Sequence, residues 1–324
     1  MVTGMRFVVV GAGAVGGVVG GFLSRSGQEV AFVARGEHGR IMADAGLTVR
    51  TPQDDFVVHT TVVASPAELK LDEGDVVLLA VKSQDTRRAL DDLVAAGAAP
   101  AIPVVCLQNG VANEPVVAER FDHVYGVPVM APTLYLEPGV VEAKSGPVPA
   151  ILDIGRYPEG VDGTAERIAE GFRAAGIDSR VQPDVMRWKW AKLLMNLGNA
   201  IEVVCGPGGR HGDLGRLVNQ EGKAVLDAAG IAYASGDENR ERRGDILQLT
   251  PGQGVGGSTW QSVMRRTGIE TDHLTGEIVR LGAEVGVPTP VNSVLLRRAR
   301  QIAAAGEGPG NATPDEILAD AGLA

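Results

Sequence analysis

Phe7 to Leu23 carries no charge and holds six glycines, at 11, 13, 16, 17, 20 and 21. No other stretch limits so strongly what this chain can fold into. Read as one apolar block, it is shorter than the ~20 residues that a bilayer span requires. No small-residue cleavage pattern follows it, so it does not read as a secretory leader. Split at Gly11, it makes sense. Arg6 to Val10 is a continuous apolar, β-branched run, as in a strand buried on both faces. Val15, Val18, Val19, Phe22 and Leu23 then recur at helical spacing. At the join stands Gly11-Ala12-Gly13-Ala14-Val15-Gly16, with G-x-G-x-x-G spacing. In this context each glycine has a task. Gly11 permits the tight turn, Gly13 lets a pyrophosphate approach the backbone at the helix N-terminus, and Gly16 lets the helix pack closely on the strand.

The pattern continues. Strands are expected at 29–34, 75–81, 102–107 and 124–129, with helices at 14–26, 37–45, 85–96 and 113–119 between them. Such alternation predicts a doubly wound parallel sheet of the Rossmann type. Segments 47–63 and 139–154 read as hairpin-like β additions. Beyond about residue 160 the periodicity becomes helical, at 163–175, 184–204, 213–229, 236–247, 258–266, 271–285 and 291–305. The expected organisation is an α/β domain over 1–183, a mainly α-helical domain over 184–305, and a linker with a short terminal helix over 306–324. Thr313-Pro314-Asp315-Glu316 is a capping box with proline at N1 for that last helix.

Composition excludes several classes. Glycine is 44 of 324 residues, about twice the usual ~7%, but without the G-X-Y period of collagen. A net charge of −10 does not suit a nucleic-acid binder. Two cysteines, Cys106 and Cys205, make neither a disulfide framework nor a metal site. No segment reaches span length, so no membrane partner is expected and the reading is a cytoplasmic protein. No motif encodes an oligomeric state, and a homodimer stays open.

The second strand speaks to cofactor choice. Folds that bind NAD place a carboxylate near its end. Here Val33-Ala34-Arg35 offers none, and Arg35 is placed to pair with a 2′-phosphate. NADP(H) is therefore expected. His38, nearby, reads as a solvated loop histidine, and the arginines of 240–243 and 297–300 read as solvated helix faces. The stretch Trp188 to Asn199 is the most unusual. At 100° per residue, Lys192, Asn196 and Asn199 fall near 0°, about 40° and about −20°. One face thus carries an amine and two carboxamides. Such a face is costly to bury unpaired and suits a polar cleft.

Several motifs together carry a resemblance. They are G-A-G-A-V-G-G at 11–17, V-A-R-G at 33–36, A-V-K at 80–82, L-Q-N-G at 107–110, E-P-G-V-V at 137–141, W-x-K-L-x-x-N at 190–196 and G-x-x-x-G-V-P-T-P-x-N at 282–292. In this order, and over nearly the whole length, the chain resembles the ketopantoate reductase (2-dehydropantoate 2-reductase) family. The resemblance implies an NADPH-dependent oxidoreductase of pantothenate biosynthesis that reduces a small 2-keto acid. It implies that Lys192 is the catalytic proton donor. Lys82, Asn109, Ala131 and Glu270 are implied beside the cofactor, Glu270 also near the lysine. Asn109, Asn196 and Ser258 are implied at the substrate. The chain departs from the family on the substrate side. Asn196 and Asn199 are spaced N-x-x-N rather than N-x-x-x-N, leaving Ala200 at the usual position. His211 stands where an asparagine is usual, and Ser262 where aspartate is frequent. Asn199 and His211 are accordingly carried as candidate substrate contacts. Two alternatives stay open: a related reductase of another 2-oxo acid or an imine, and a non-catalytic NADP-binding protein. No metal is expected.

Overall fold

A computed structural model describes residues 4–206, 212–249, 258–264 and 269–323, leaving aside the side chains of Leu136, Ser258, Gln261 and Met264. The strands are β1 (Arg6–Val10), β2 (Glu29–Val33), β3 (Leu47–Arg50), β4 (Asp55–Val58), β5 (Thr61–Val63), β6 (Asp75–Leu79), β7 (Val104–Cys106), β8 (Val124–Gly126), β9 (Thr133–Glu137), β10 (Val140–Ala143) and β11 (Gly155–Arg156). The helices of the first half are α1 (Ala14–Arg25), α2 (Gly36–Ala45), α3 (Thr86–Ala95), α4 (Asn113–Ala118) and α5 (Gly163–Ala174). Then come α6 (Val185–Asn196), α7 (Gly198–Cys205), α8 (Asp213–Ala228), α9 (Gly236–Arg243), α10 (Ser258–Met264), α11 (Thr275–Val285), α12 (Pro290–Ala305) and α13 (Pro314–Asp320).

The main sheet runs β11-β8-β7-β6-β1-β2-β5 and is parallel except for β11. The strand order reverses between β1 and β6, and crevices for ligands lie at the carboxyl ends of strands at such a reversal. Phe7, Val8 and Val9 of β1 and Val77, Leu78 and Leu79 of β6 are wholly buried, which is why these strands read as unbroken apolar runs.

The two β additions form a sheet of their own, β4-β3-β10-β9, except that β5 leaves to join the main sheet beside β2. Glycine lets α1 lie between the two sheets. A Cβ on Gly20 would stand 2.5 Å from the Phe32 ring of the main sheet. On the other side, a Cβ on Gly17 would meet Val141 at 2.8 Å, and one on Gly21 would meet Val49 at 2.6 Å. Two glycine stripes thus serve two sheets.

Contacts divide the chain into two compact units. One comprises the chain up to Lys189 and the segment that starts at Ser235; the other comprises Trp190–Ala234 and the remainder. The division falls inside α6, past the expected 183/184, and α9 belongs with the first unit. Ion pairs explain the return. Arg242 is buried and forks onto Asp153, Nε to Oδ2 at 2.7 Å and Nη2 to Oδ1 at 2.6 Å, and also reaches Asp178. Arg187 pairs with Glu238 at 2.7 Å. The arginines of 240–243 are therefore not all on a solvated face.

The second unit is helical. Its G-V-P-T-P-x-N motif is a structural lock. The Glu221 carboxylate of α8 accepts the Val291 and Asn292 backbone N–H groups, both at 2.9 Å, at the start of α12. Buried Asn292 returns a side-chain bond to Glu221 at 2.8 Å and a second to the Val218 carbonyl at 3.1 Å. The terminal helix α13 carries the expected capping box, Thr313 with Glu316.

The expected single helix over 184–204 is two, broken at Leu197. There Leu197 N–H bonds to the Leu194 carbonyl and Ala200 N–H to the Leu197 carbonyl, each at 3.3 Å. These i→i+3 bonds wind the chain more tightly than an α-helix, so residues three apart come close to eclipsed. Asn199 is thereby turned toward the phase of Asn196.

Candidate active site

The first unit assembles the glycine turn at the point where the strand order reverses. Gly11 has φ +101°, and a Cβ there would stand 2.8 Å from the Val81 nitrogen. A Cβ on Gly16 would lie 2.1 Å from the Gly11 carbonyl oxygen and 2.8 Å from the Ala80 methyl. Gly13 differs, because a Cβ there would meet nothing within 4 Å. Gly11 and Gly16 are demanded by protein packing; the space over Gly13 is open. Gly13 is also the N-cap of α1 and gives it no side-chain cap. Val15 packs against the core under the turn.

A cavity of about 250 Å³ opens over the turn. Its wall includes Gly11, Ala12 and Gly13, the β2 end with Arg35, and His38, Arg88 and Tyr135. Arg35 is the N-cap of α2 and is exposed. Arg88 of α3 brings a second guanidinium, bonded to Asp85 at 2.7 Å. The cavity combines an open backbone cradle and an uncapped helix N-terminus with positive dipole, which suit an anion, with Arg35 and Arg88 and the carboxylates of Asp85 and Asp92 in its wall.

Lys82 and Asn109 follow β6 and β7 at the same carboxyl edge, and buried polar side chains tie their two loops together. Gln108 donates to the Val81 carbonyl and to Thr86 Oγ1, both at 2.8 Å. Thr86 donates to Asn113 Oδ1 at 2.8 Å. Asn113 in turn donates to Ser83 Oγ at 3.1 Å and to the Asn109 carbonyl at 3.3 Å. Below them lies a buried ion pair, Lys189 with Glu114, each almost wholly shielded from solvent. The Lys189 ammonium also donates to the Gln108 carbonyl at 3.0 Å. Glu114 Oε2 has no hydrogen-bond partner among the described residues. Burial beside Glu114 pushes the Cys106 thiol well up, so it stays protonated. Cys205 is also pushed up, to about 11, by burial. Both cysteines are free. Ala131 is half-buried against the core after the short β-bridge that Met130 makes with Ile151.

The second unit carries Lys192 and Asn196 on α6 and Asn199 on α7, with both asparagines buried. Helix α10 packs on α7 and buries Thr259 and Ser262. Ser258 begins α10, but its side chain lies outside the described residues, and so does all of His211. Glu270 immediately precedes the short turn Thr271–His273, which packs on α11 and α12. Among the described residues, no three His, Cys, Asp or Glu side chains group as metal ligands. No helix among the described residues is long and apolar enough to cross a membrane.

Sequence reading missed Arg88, Tyr135 and the Lys189–Glu114 pair, for which no spacing signal exists. It also took His38 for a solvated side chain. That ring is half-buried and doubly bonded, its Nε2 to the Ala12 carbonyl and its Nδ1 to the Gly139 N–H, both at 2.8 Å.

Comparison with known proteins settles the family. Residues 7–159 match the model described as ketopantoate reductase PanE/ApbA, and 184–303 match ketopantoate reductase PanE/ApbA C terminal. This chain belongs to the ketopantoate reductase family. Its members include the 2-dehydropantoate 2-reductase of Archaeoglobus fulgidus, 30% identical over 307 residues that cover 92% of this chain and 97% of that one. The corresponding protein of Pyrococcus horikoshii is 28% identical over 298 residues, 90% of this chain and 95% of its own. Among solved structures, a ketopantoate reductase of the PanE/ApbA family from Ralstonia eutropha JMP134 superposes with a TM-score of 0.79. It has 30% identity, and the match covers 93% of this chain and 99% of the other. Ketopantoate reductase membership makes the protein an oxidoreductase acting on a CH–OH or C=O group.

Proposed function

We propose that this protein is a cytoplasmic NADPH-dependent reductase that converts 2-dehydropantoate to pantoate, with Lys192 delivering the proton. The observation that carries the cofactor half is Gly13, the one glycine of the Gly11–Gly16 turn at which no protein atom would meet a side chain. When bound, NADPH supplies the hydride. The chain's residues do the rest. The turn from Gly11 through Ala12, Gly13, Ala14 and Val15 to Gly16 holds the pyrophosphate against the N-terminus of α1. Arg35 pairs with the 2′-phosphate, a task for which a guanidinium fork is suited. By resemblance, Lys82, Asn109, Ala131 and Glu270 border the cofactor. Lys192 holds the proton for the oxygen that becomes alkoxide and stabilises its growing charge. Asn196 holds the substrate hydroxyl and Ser258 takes the carboxylate, with Asn199 a candidate substrate contact. His211 stays a candidate substrate contact.

The test is Lys192→Ala. It is expected to bind NADPH as the wild type does in a fluorescence titration while turnover falls by roughly 10²–10⁴. Turnover near the wild-type level removes Lys192 from the mechanism.

A second substrate reading rests on one observation. A tightened turn at Leu197 precedes Asn199, whose N-x-x-N spacing from Asn196 departs from the usual N-x-x-x-N, and a different substrate is the reading this favours. A panel of 2-oxo acids with NADPH separates the two readings. Activity confined to an acid other than 2-dehydropantoate favours the second.

A further inference from the structure

We infer that His38 is a positioning residue for the glycine-rich turn, a neutral imidazole that fixes the Ala12 carbonyl and so sets the shape of the cofactor cradle. The inference rests on the proposed cofactor reading only where it concerns NADPH; the effect on the turn itself does not depend on it.

Both partners of the ring are backbone groups whose roles are unambiguous. The Ala12 carbonyl only accepts, so Nε2 carries the proton. The Gly139 N–H only donates, so Nδ1 presents its lone pair. The ring therefore joins three elements: the turn after β1, the first turn of α2, and the tight turn between β9 and β10. Tyr135 lies against it, ring centroids 4.7 Å apart. A Cβ on Gly17 would stand 3.0 Å from the Ala12 oxygen, so glycine at that position leaves the carbonyl its place. Ala12 precedes Gly13, the residue whose open face admits the anion. A carbonyl left to rotate there would present its negative end to a pyrophosphate. Committing it to an N–H donor removes that freedom.

Protonation undoes the arrangement. A second ring proton would confront the Gly139 N–H with another donor. The charged and titratable groups around His38 are few. On α2 they are Arg35, with Glu37 and Arg40, which pair at 3.8 Å. On β9 they are Tyr135 and Glu137, the latter paired with Arg50 at 3.7 Å. The cavity wall adds Asp85, Arg88 and Asp92, and the first turn of α1 contributes none. Burial holds the His38 pKa below its ordinary value, against the opposing effect of the Ala12 bond. The neutral ring thus persists at neutral pH and is lost only as the medium turns acidic.

The experiment compares wild type, His38→Phe and His38→Gln, whose amide keeps a donor and an acceptor but does not titrate. Without cofactor, amide exchange is followed by mass spectrometry on peptides spanning Gly11–Gly17, with β6–β7 peptides as control. With cofactor, NADPH affinity is titrated from pH 8 to 5.5. His38→Phe is expected to speed exchange in the turn and weaken NADPH, each about tenfold, the equivalent of one lost hydrogen bond. His38→Gln is expected to restore both. On acidification every variant shares the titration of the ligand's own 2′-phosphate, near ~6, and the wild type is expected to weaken further than His38→Gln. Unchanged exchange in the turn of His38→Phe overturns the inference. So does a wild-type acid response no larger than that of His38→Gln. If the turn loosens in His38→Phe while wild type binds neither NADPH nor NADH at pH 8, the positioning role stands and the cofactor reading falls.

Discussion

Replacing Lys189 by methionine isolates the ion pair buried under the Asn109 loop. Methionine keeps most of the apolar stem, so the change removes the ammonium and little else. Glu114 then loses its cation while its other oxygen already lacks a hydrogen-bond partner among the described residues. Removing one member of a buried pair costs about 3–5 kcal/mol. Urea unfolding followed by circular dichroism at pH 7 measures the gap between variant and wild type. A second variant, Lys189→Met with Glu114→Leu, removes the carboxylate as well and is expected to recover to within about 1 kcal/mol of wild type. A gap below about 1 kcal/mol for the single variant, or a double variant that recovers none of it, refutes the reasoning.

Four further substitutions have expected outcomes. Gly16→Ala puts a methyl 2.1 Å from the Gly11 carbonyl oxygen and is expected to cost roughly 1–3 kcal/mol of stability by overpacking. Gly13→Ala is expected to cost well under that in denaturant yet to weaken NADPH; equal stability losses for the two would contradict the packing described. Arg35→Ala is expected to weaken NADPH by roughly ten- to a hundredfold, the worth of a charged hydrogen bond, with NADH nearly unaffected. Loss of both cofactors alike in binding titrations would remove the 2′-phosphate role. Asn199→Ala is expected to raise the KM for the 2-oxo acid about tenfold with NADPH affinity unchanged, and an unaltered KM would place Asn199 outside the substrate pocket.

The parallel sheet was legible because strands buried on both faces can be nothing but apolar runs, as β1 and β6 are. The glycines of α1 announced close packing, but not that two sheets share it. Parallel pairing of β3 with β10 joins residues about 90 apart, and no local pattern carries such a pairing. The break at Leu197 was also hidden. Its flanking residues suit a helix, and the i→i+3 bonding shows only in the backbone. His38 and Arg242 looked like surface residues because their partners, Gly139 and Asp153, lie far away in the chain. Local chemistry marks the turn, Arg35 and Lys192; residues that act through distant partners leave no trace in spacing.

The docking of Arg242 onto Asp153 and Asp178 bears on how the chain matures. As the polypeptide emerges during synthesis, both aspartates are made before their cation exists. At ~5–20 residues per second, the roughly 60 residues from Asp178 to Arg242 take several seconds to arrive. Throughout that interval the nascent first unit holds two acidic side chains on a surface that is later closed. Truncation at Lys189 would make that unfinished condition permanent. A fragment chosen to contain only the nucleotide cradle therefore has to carry residues 235–249 as well, supplied by fusion or as a separate peptide.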